Sequence, residues 1–467
     1  MRAAPVFVSQ EELKAQQDAA RQVSALPNRP GSYHIVTYGC QMNAHDSEKL
    51  AGLLSGMGMT EAPDRREADL VLFNTCCIRD NAERRALGNI TWLKELKAQK
   101  PGLIIGVCGC MVQQPAMAQK ILRQYRFVDL AFGTHNLHCL PSLLLSLLTQ
   151  RSRVFSVTDD ETLIAEGLPV KRLNAYHAYI TIMYGCDNYC SYCIVPYVRG
   201  RERSRRMDDI LREAEGLVKS GVKEIMLLGQ NVNSYGSGSA TETFPILLRK
   251  LDAIGVERIR FMTSHPKDLS DELIQAMADC PHVCHHLHLP VQSGDNEILR
   301  QMNRRYTREA YLDRVRRLRQ AVPDIGLTTD FIVSFPGETQ AQFERTCDLV
   351  DEVGFDAAFT FIYSPREGTR AAALPGRIEA AESTRRIETL IRHVEASTER
   401  VHQSLLGTEE LVLVEGLSKR DEGMVSGKGR RNITITFPGD ARDIGAILPV
   451  TITSCAANTL RGQRKER

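Results

Sequence analysis

The chain has 467 residues, 13 of them cysteine, and its formal net charge is +2 at pH 7. That length is typical of about three domains, and the near-neutral charge excludes a global field for nucleic acid, so RNA affinity must come from local patches. No apolar run approaches the roughly 20 residues of a membrane span, and the polar N-terminus lacks a signal-peptide core. We therefore expect a cytoplasmic protein with no membrane partner, whose cysteines are ligands and core thiols rather than disulfides.

The N-terminal third alternates strand-like and helix-like segments after a polar leader, residues 1–31. The strand-like segments are residues 34–38, 68–73, 103–107 and 128–132, and the helix-like ones are residues 48–57, 81–97 and 114–124. This alternation predicts a domain over residues 32–150 with an open parallel sheet. Residues 151–171 are polar and acidic, and we predict that they form a linker.

Residues 172–405 repeat the strand–helix pattern about six times, and residues 406–467 change to short strands with glycine-rich turns. The predicted strands of the first region are residues 179–183, 224–228, 258–262, 286–289, 327–333 and 357–363, before an amphipathic helix over 379–405. Those of the second region are residues 410–415, 423–426, 432–437 and 446–453. The chain is thus predicted to be of the α/β class, with an N-terminal open parallel sheet, a central partial (β/α)6 barrel and a small C-terminal all-β barrel.

Three cysteines form a CxxxCxxC triplet just after the first predicted barrel strand: Cys186, Cys190 and Cys193. Three thiolates on one short loop can hold one face of a 4Fe-4S cluster, which normally takes four cysteines. With three, one iron keeps a position for a ligand that is not protein. Zinc loops favour CxxC pairs with a second pair farther on, and this polar, tyrosine-rich loop is poor core composition, so we predict an iron–sulfur site.

A second set of cysteines follows three successive strands of the predicted N-terminal sheet. Cys40 follows the first strand, Cys76 and Cys77 follow the second, and Cys108 and Cys110 end or follow the third. Ligands of open parallel sheets bind at the carboxyl ends of the strands, so three of these thiols can converge on a second cluster. Any single one is as readily a core residue, and the pattern does not choose between Cys76 and Cys77, or between Cys108 and Cys110.

The remaining cysteines give weaker signals. Residues 280–288 hold two cysteines and four histidines, a composition also found in zinc sites. Because His286 and His288 fall on a predicted strand and His285 would face the other way, we predict ordinary strand and loop residues. Cys139, Cys347 and Cys455 are isolated in sequence, and we expect them to be structural.

Two basic segments are candidates for RNA contact. The segment after the cysteine triplet has a local net charge of +4, with Glu202 its single acid, and contains Arg199, Arg201, Arg203, Arg205 and Arg206. A solvated surface is the usual explanation of such a run, but its place beside the triplet favours phosphate contacts equally. Lys428, Arg430 and Arg431 lie on a hairpin of the small β-barrel, a fold that often binds nucleic acid.

Together these residues resemble the radical-SAM methylthiotransferase family, over nearly the whole chain from Ser32 onward. The CxxxCxxC triplet is similar to the radical-SAM motif, which implies a 4Fe-4S cluster whose open iron chelates S-adenosylmethionine. Cys40, Cys76 and Cys110 match the family's three auxiliary-cluster cysteines. The resemblance thus makes residues 32–150 a methylthiotransferase domain, residues 172–405 a radical-SAM core and residues 406–467 a TRAM-like RNA-binding domain.

Residues 38–43, 194–205 and 227–235 are similar to the MiaB-type branch of the family. That branch adds a methylthio group to C2 of isopentenylated adenosine beside the tRNA anticodon, and the resemblance implies the same reaction here. Three residues depart from the family pattern. Ser334 stands where the family usually has glycine, and Cys77 and Asp80 also differ from the commoner residues; none of these departures removes a predicted ligand.

The resemblance also implies the chemistry. An electron delivered to the first cluster cleaves S-adenosylmethionine to a 5′-deoxyadenosyl radical, which is needed because an aromatic C–H is too weak an acid for a general base. The auxiliary cluster carries or donates the sulfur, and a second S-adenosylmethionine methylates it. The implied cofactors are two 4Fe-4S clusters and two S-adenosylmethionine molecules per turnover, with Gln230 as our candidate cofactor contact. The implied partners are the tRNA anticodon stem-loop, a one-electron donor protein and a sulfur or cluster donor, and we expect a monomer.

Other functions compete with this one. The alternative of the same class is a methylthiotransferase whose substrate is threonylcarbamoyl adenosine in tRNA or an aspartate of a ribosomal protein. The alternatives of different classes are an iron–sulfur electron carrier with an RNA-binding tail and a zinc-dependent RNA-binding protein. An electron carrier has no use for an open-iron triplet or a six-unit barrel, and anaerobic cleavage of S-adenosylmethionine distinguishes it. Colour and iron content distinguish the zinc protein.

Overall fold

The computed structural model describes residues 5–77, 80–158, 163–456 and 459–465. Within these ranges the chain forms an N-terminal α/β unit, a central partial barrel and a C-terminal β-barrel, and the predicted fold class is confirmed. None of the helices described there is both long and apolar enough to cross a bilayer.

The N-terminal unit is built on a parallel sheet covered by helices. Its elements are β1 (Val6–Phe7), α1 (Gln10–Ala25), β2 (Ser32–Thr37), α2 (Gln41–Gly56), β3 (Thr60–Glu61), β4 (Leu70–Thr75), α3 (Asp80–Gln99), β5 (Ile104–Gly109), α4 (Cys110–Gln113), α5 (Pro115–Gln124), β6 (Leu130–Phe132), α6 (Leu140–Gln150), β7 (Val154–Ser156) and β8 (Leu163–Ile164). The strand order of the sheet is β3-β2-β4-β5-β6-β7. The central strand β4 is buried along its whole length, as its run of apolar residues requires of a strand covered on both faces.

Two segments that the sequence left without elements contain secondary structure. The polar leader contains the helix α1, which begins after the N-cap Ser9 and packs against α6 through a narrow buried stripe that includes Ala19 and Val23. The linker over residues 151–171 contains β7, which extends the main sheet, and β8, which pairs with β1; its residues 159–162 lie outside the described part. Both segments bury few apolar residues, so their sequence periodicity is too weak to predict an element.

The central unit is an open barrel of parallel strands. Its elements are β9 (His177–Thr181), β10 (Met183–Tyr184), α7 (Val195–Arg199), β11 (Arg203–Ser204), α8 (Met207–Lys219), β12 (Glu224–Leu228), α9 (Phe244–Ile254), β13 (Arg258–Phe261), α10 (Asp271–Asp279), β14 (His286–His288), α11 (Asn296–Gln301), α12 (Arg308–Ala321), β15 (Gly326–Val333), α13 (Gln340–Val353), β16 (Ala357–Ile362) and α14 (Ala380–Ser404). Two three-stranded parallel sheets, β9-β12-β13 and β14-β15-β16, are joined by a parallel bridge between Ile259 and Val283. Each of the predicted barrel strands overlaps an observed one.

The C-terminal unit is a closed barrel with the strand order β17-β18-β19-β21-β20. Its strands are β17 (Glu409–Leu417), β18 (Met424–Lys428), β19 (Thr434–Pro438), β20 (Ile447–Ala456) and β21 (Thr459–Arg464). The first four were predicted from sequence. The fifth, β21, was missed because Leu460 is its one buried large apolar side chain, and a single such residue gives no period-2 pattern.

The small barrel packs on the amino-terminal ends of the central strands. At the start of β13, the Arg258 guanidinium donates to the backbone oxygen of Lys428 at 2.8 Å. Just before β16, the buried carboxylate of Asp356 pairs with Arg431 at 2.6 Å. Because the central strands are parallel, their carboxyl ends, where the cysteine triplet lies, are at the opposite end of the molecule.

Candidate functional site

The cysteine triplet lies on the loop between β10 and α7. Cys190 is buried and Cys186 and Cys193 are half-buried. The loop is held by backbone hydrogen bonds from Cys193 to Cys190, 2.9 Å, and from Cys186 to Gly200, 3.1 Å. Burial raises the pKa of the Cys186 thiol to about 12, and it also raises the pKa of Cys193, with the neighbouring cysteines adding to the effect. These thiols are therefore poor as separate acids, whereas a metal cluster would take all three as thiolates.

A buried guanidinium faces this loop. Arg304 is 4% exposed, and its Nη1 donates to Cys190 Sγ at 3.4 Å. Its other groups donate to the backbone oxygen of Pro290 at 2.5 Å and to the Tyr306 hydroxyl at 2.9 Å. In the described part of the chain no carboxylate pairs with it. A buried cation is costly unless an opposite charge compensates it, so Arg304 fits a site whose occupant is a negatively charged thiolate-bound cluster.

The second cysteine set converges at the carboxyl edge of the N-terminal sheet. Cys40 precedes α2, Cys76 directly follows β4, and Cys110 begins α4 after β5. The strands β2, β4 and β5 that carry them are neighbours in the sheet. The first two loops touch, because a Cβ placed on Gly39 would lie 3.1 Å from Cys76 Sγ.

The structure separates one of the pairs that the sequence left open. Cys108 is buried in β5 among core residues that include Leu72 and Phe132, and so it has a packing role. Cys77, in contrast, stays at the site: its thiol donates a hydrogen bond to Cys110. That bond, with the nearby Arg199 cation, lowers the pKa of Cys110 to about 6, which favours its thiolate form.

The short helix α7 joins the two cysteine sets. It begins two residues after Cys193 and ends at Arg199, which is 5% exposed. The Nε of Arg199 donates to Cys110 Sγ at 3.1 Å, and its Nη2 pairs with Asp46 at 2.9 Å. The side chain of Val198 packs in the same small cluster as Cys110. The two candidate metal sites are therefore held against each other by one turn of helix.

Buried polar atoms without hydrogen-bond partners gather at the carboxyl ends of the central strands. In the described residues they include side-chain atoms of Gln230, Asn233, Ser264, His265 and Ser334. Buried polar atoms normally have partners, so a polar ligand such as S-adenosylmethionine at this end of the barrel would satisfy them. Sequence reasoning selected Gln230 as a cofactor contact and noted Ser334 as a departure from the family pattern, but it missed Asn233, Ser264 and His265. All of them share the signal that they follow the end of a barrel strand.

Ser334 adopts the left-handed backbone conformation, with φ of 59°. Its N–H donates to the carboxylate of Glu338 at 2.7 Å, while its hydroxyl has no partner among the described residues. Glycine occupies such a conformation without strain, whereas another residue costs roughly 1–2 kcal/mol. The departure from the family's glycine is therefore a local strain at the edge of the candidate cofactor site.

A cavity of 660 Å³ opens beside Cys193. Its apolar wall comes from Ile332, Phe361, Ile362 and Tyr363, and the arginines Arg84 and Arg366 also line it. The volume lies within the roughly 300–1,000 Å³ range of ligand pockets and has room for a nucleoside. A larger cavity, of 930 Å³ and lined by residues of α1 and α8, contains none of the cysteines.

The arginine run next to the triplet does not form the expected RNA surface. Arg199, Arg203 and Arg205 are all buried, at 5–8% exposure. Arg205 pairs with Glu166 at 2.6 Å and with Glu213 at 2.8 Å. Of the four arginines predicted to contact RNA, Arg201 alone has an exposed side chain, and it pairs with Asp187 at 2.7 Å. The prediction is wrong for the buried three because sequence shows a charge but not its partner.

The basic hairpin of the C-terminal barrel is likewise an interface between domains. Arg430 donates to the backbone oxygen of Val283 at 2.8 Å, and Arg431 pairs with Asp356. Lys428 turns back to the Thr434 hydroxyl at 2.8 Å. The polar groups of these three residues are therefore engaged within the protein. In residues 280–288, His286 lies in β14, as predicted for a strand residue, and hydrogen-bonds the Thr328 hydroxyl.

Three family models match the chain. They are the Radical SAM superfamily over residues 180–350, the uncharacterized protein family UPF0004 over residues 32–133 and the TRAM domain over residues 403–465. The chain is 50% identical to a protein of Alkaliphilus oremlandii named tRNA-2-methylthio-N(6)-dimethylallyladenosine synthase, covering 98% of both chains. It is 49% identical to a protein of the same name from Thermoanaerobacter sp., covering 99% of this chain and 98% of the other.

Among solved structures, the fold is similar to that of the radical S-adenosylmethionine methyltransferase TsrM from Kitasatospora setae, with cobalamin and a [4Fe-4S] cluster bound. The TM-score is 0.53 at 15% identity, covering 73% of this chain and 77% of that one. The cobalamin-dependent S-adenosylmethionine radical enzyme OxsB has a TM-score of 0.50 at 12% identity, covering 78% and 57%. At these identities the similarity is one of fold alone.

Proposed function

The chain belongs to the family of tRNA-2-methylthio-N(6)-dimethylallyladenosine synthases, which makes it a radical-SAM methylthiotransferase, and we propose how its own residues serve that reaction. The reaction adds a methylthio group to C2 of an isopentenylated adenosine next to the tRNA anticodon. The observation that carries the proposal is the contact of α7, which starts beside one cysteine set and ends on Cys110 of the other. Methyl-sulfur transfer driven by a radical needs two such centres side by side.

We assign one 4Fe-4S cluster to the Cys186/Cys190/Cys193 loop and a second to Cys40, Cys76 and Cys110. When bound, the clusters and S-adenosylmethionine supply the radical and the methylated sulfur. The protein's part is to hold them: Arg304 and Arg199 place one buried cation against a cysteine of each set. The unpartnered polar atoms that include Gln230 are in position to orient S-adenosylmethionine.

The cavity beside Cys193 is the proposed place of the target adenosine. Its wall of isoleucine and aromatic side chains suits the hydrocarbon of an isopentenyl group, which gains about 25 cal/mol for each Å² removed from water. A threonylcarbamoyl group would bring a carboxylate and a hydroxyl against the same wall at a cost in desolvation. The apolar wall therefore suits the isopentenylated substrate. Arg84 and Arg366 line the same cavity, and Arg366 pairs with Glu83 at 3.5 Å.

For RNA contact we propose the turn between β17 and β18 in place of the hairpin at Lys428. Lys419 and Arg420 are exposed there, and no described residue pairs with either side chain. Exposed cations on a small β-barrel provide the sequence-independent part of RNA affinity. We further propose that the enzyme is a cytoplasmic monomer that receives electrons and sulfur from separate donor proteins.

Paired variants test this reassignment. The Lys419→Ala/Arg420→Ala double variant should reduce the salt slope of tRNA binding by about 2, one for each phosphate contact, and leave stability within about 0.5 kcal/mol. Arg431→Ala should leave that slope unchanged but destabilise the protein by about 3 kcal/mol, because it leaves the buried carboxylate of Asp356 unpaired. Filter binding at several salt concentrations and denaturant unfolding measure the two effects. A reduced slope in Arg431→Ala would return RNA contact to the hairpin.

The function is tested by product analysis. Protein with reconstituted clusters is incubated anaerobically with reductant, S-adenosylmethionine and tRNA bearing isopentenyladenosine, and the digested nucleosides are examined by mass spectrometry. We expect methylthio-isopentenyladenosine, and no product from the same tRNA without the isopentenyl group. Abundant 5′-deoxyadenosine without a modified nucleoside would preserve the radical chemistry and exclude this substrate. Neither product, with iron and sulfide content intact, would overturn the catalytic proposal.

A further inference from the structure

Three metal-binding side chains meet where α1 packs on the turn before α6, apart from both cysteine sets. His138 Nε2 lies 3.2 Å from a carboxylate oxygen of Glu12 and 3.4 Å from Cys139 Sγ. All three donor atoms lie within 4.8 Å of one another, and no other set of three in the described residues meets this condition. Glu12 is far from the other two in sequence, so the folding of α1 onto this domain creates the group.

The separations suit a tetrahedral zinc ion. Zinc binds oxygen and imidazole nitrogen at about 2.0–2.2 Å and cysteine sulfur at about 2.3 Å. At tetrahedral angles these bonds place the nitrogen about 3.3 Å from the oxygen and about 3.6 Å from the sulfur. The observed 3.2 Å and 3.4 Å agree with both edges. Cysteine, histidine and glutamate together are a donor set that zinc takes and that magnesium and calcium do not.

Hydrogen bonds among these three side chains cannot satisfy all of their polar atoms. The Nε2 atom of His138 can make one hydrogen bond, either as a donor or as an acceptor, but two polar groups lie next to it. As an N–H it can serve the carboxylate of Glu12, which leaves the Cys139 thiol hydrogen without an acceptor among the described residues. As a lone pair it would face a carboxylate lone pair. A cation at the centre accepts all three donors at once. His138 is 4% exposed, whereas the Glu12 side chain is 43% exposed, so solvent reaches one side of the group.

We propose that Glu12, His138 and Cys139 form a zinc site that fastens α1 to the N-terminal domain, with water as the fourth ligand on the exposed side. Binding breaks the S–H bond of Cys139 and forms a Zn–S bond, and the proton leaves to solvent. Glu12 binds through a carboxylate oxygen and His138 through its Nε2 atom. No electron is transferred, so the site is structural and independent of the reduction state of the clusters.

Zinc analysis of the cluster-loaded enzyme tests the site. Protein equilibrated with Zn²⁺ and then desalted should retain about one zinc per chain beyond its iron, with one sulfur and two or three nitrogen or oxygen neighbours in the zinc X-ray absorption spectrum. His138→Ala and Cys139→Ser should each weaken zinc binding by at least about tenfold, the loss seen for lesser supporting groups. Cys455→Ser, which removes a half-buried cysteine of the C-terminal barrel, is the matched control and should keep the zinc.

Thermal unfolding gives a second readout. Zinc should raise the melting temperature of the wild type and of Cys455→Ser but not that of His138→Ala, because a ligand stabilises only the state that binds it. Should His138→Ala fail to fold, Glu12→Gln on the exposed side supplies the comparison, since it keeps the size of the side chain and loses the charge. A desalted wild type without zinc, a zinc environment of several sulfurs, or equal zinc in Glu12→Gln, His138→Ala and wild type would each overturn the proposal.

Discussion

Replacing Cys190 by alanine is expected to abolish both 5′-deoxyadenosine formation and methylthiolation, whereas Cys76→Ala should keep the first and lose the second. The reason is the division of the cysteines into two sets, one on the loop after β10 and one at the edge of the N-terminal sheet. Loss of one ligand from a three-cysteine site leaves two, too few for a stable cluster. Both products are measured in one anaerobic reaction, by chromatography of 5′-deoxyadenosine and mass spectrometry of the tRNA nucleosides.

The neighbour Cys77 provides a control matched in position, chemistry and burial. Cys76 and Cys77 are both buried at the same strand end, and the Cys77 thiol contacts Cys110. If Cys76 is the ligand, Cys77→Ala should retain iron and methylthiolation. The reverse result, normal methylthiolation by Cys76→Ala and none by Cys77→Ala, would move the ligand assignment by one residue. Normal methylthiolation by both variants would remove this strand end from the second site altogether.

Arg304→Met should lower the midpoint potential of the cluster on the Cys190 loop by on the order of 100 mV. A unit charge about 4 Å away is worth about 4 kcal/mol at an effective dielectric constant of about 20, and for one electron 59 mV corresponds to about 1.4 kcal/mol. The cation of Arg304 donates to Cys190 Sγ at 3.4 Å, so it favours the more negative, reduced state. The measurement is a potentiometric titration followed by electron paramagnetic resonance, without S-adenosylmethionine.

Two further variants show whether the effect is electrostatic. Arg304→Lys keeps the charge and should recover most of the potential, which a merely structural role would not produce. Arg305 is the next residue, and its side chain is exposed. Arg305→Met therefore removes a charge that water already screens and should shift the potential little. Iron and sulfide content must be equal in all samples. Equal potentials in Arg304→Met and wild type would show that the guanidinium has no electrostatic role at the cluster.

Strands of the central barrel such as β12 and β16 could be predicted from sequence because they are short, mainly apolar runs between charged helices. The strand β12, Glu224–Leu228, was predicted at its observed bounds. The cysteines could be placed at strand ends for the same reason, since position along a parallel strand also fixes position in space. Sequence periodicity therefore predicts each local element and the edge of the sheet on which the following loop lies.

Pairings between distant segments could not be predicted in this way. Nothing local in residues 428–431 shows that Arg431 pairs with the buried carboxylate of Asp356 at the start of β16, so its charge was interpreted as a surface for RNA. The same holds for Arg199, whose partner Asp46 is on α2. Cys139 has His138 beside it in sequence, but their third partner, Glu12, is on α1 in the segment expected to be a polar leader, so the sequence could not group the three.

The small barrel packs on the amino-terminal ends of the central strands. Its position therefore fixes the distance between the proposed RNA contact and the carboxyl ends of those strands. A tRNA bound at the β17–β18 turn, as proposed above, would have to extend past the strands to place its adenosine at their carboxyl ends. The longest strand, β15, has 8 residues and so spans about 26 Å at 3.3 Å per residue. The choice of nucleotide would then depend on its distance from the part of the stem that the turn binds. Lengthening that stem by one base pair should shift the target out of reach even when the anticodon loop itself is unchanged.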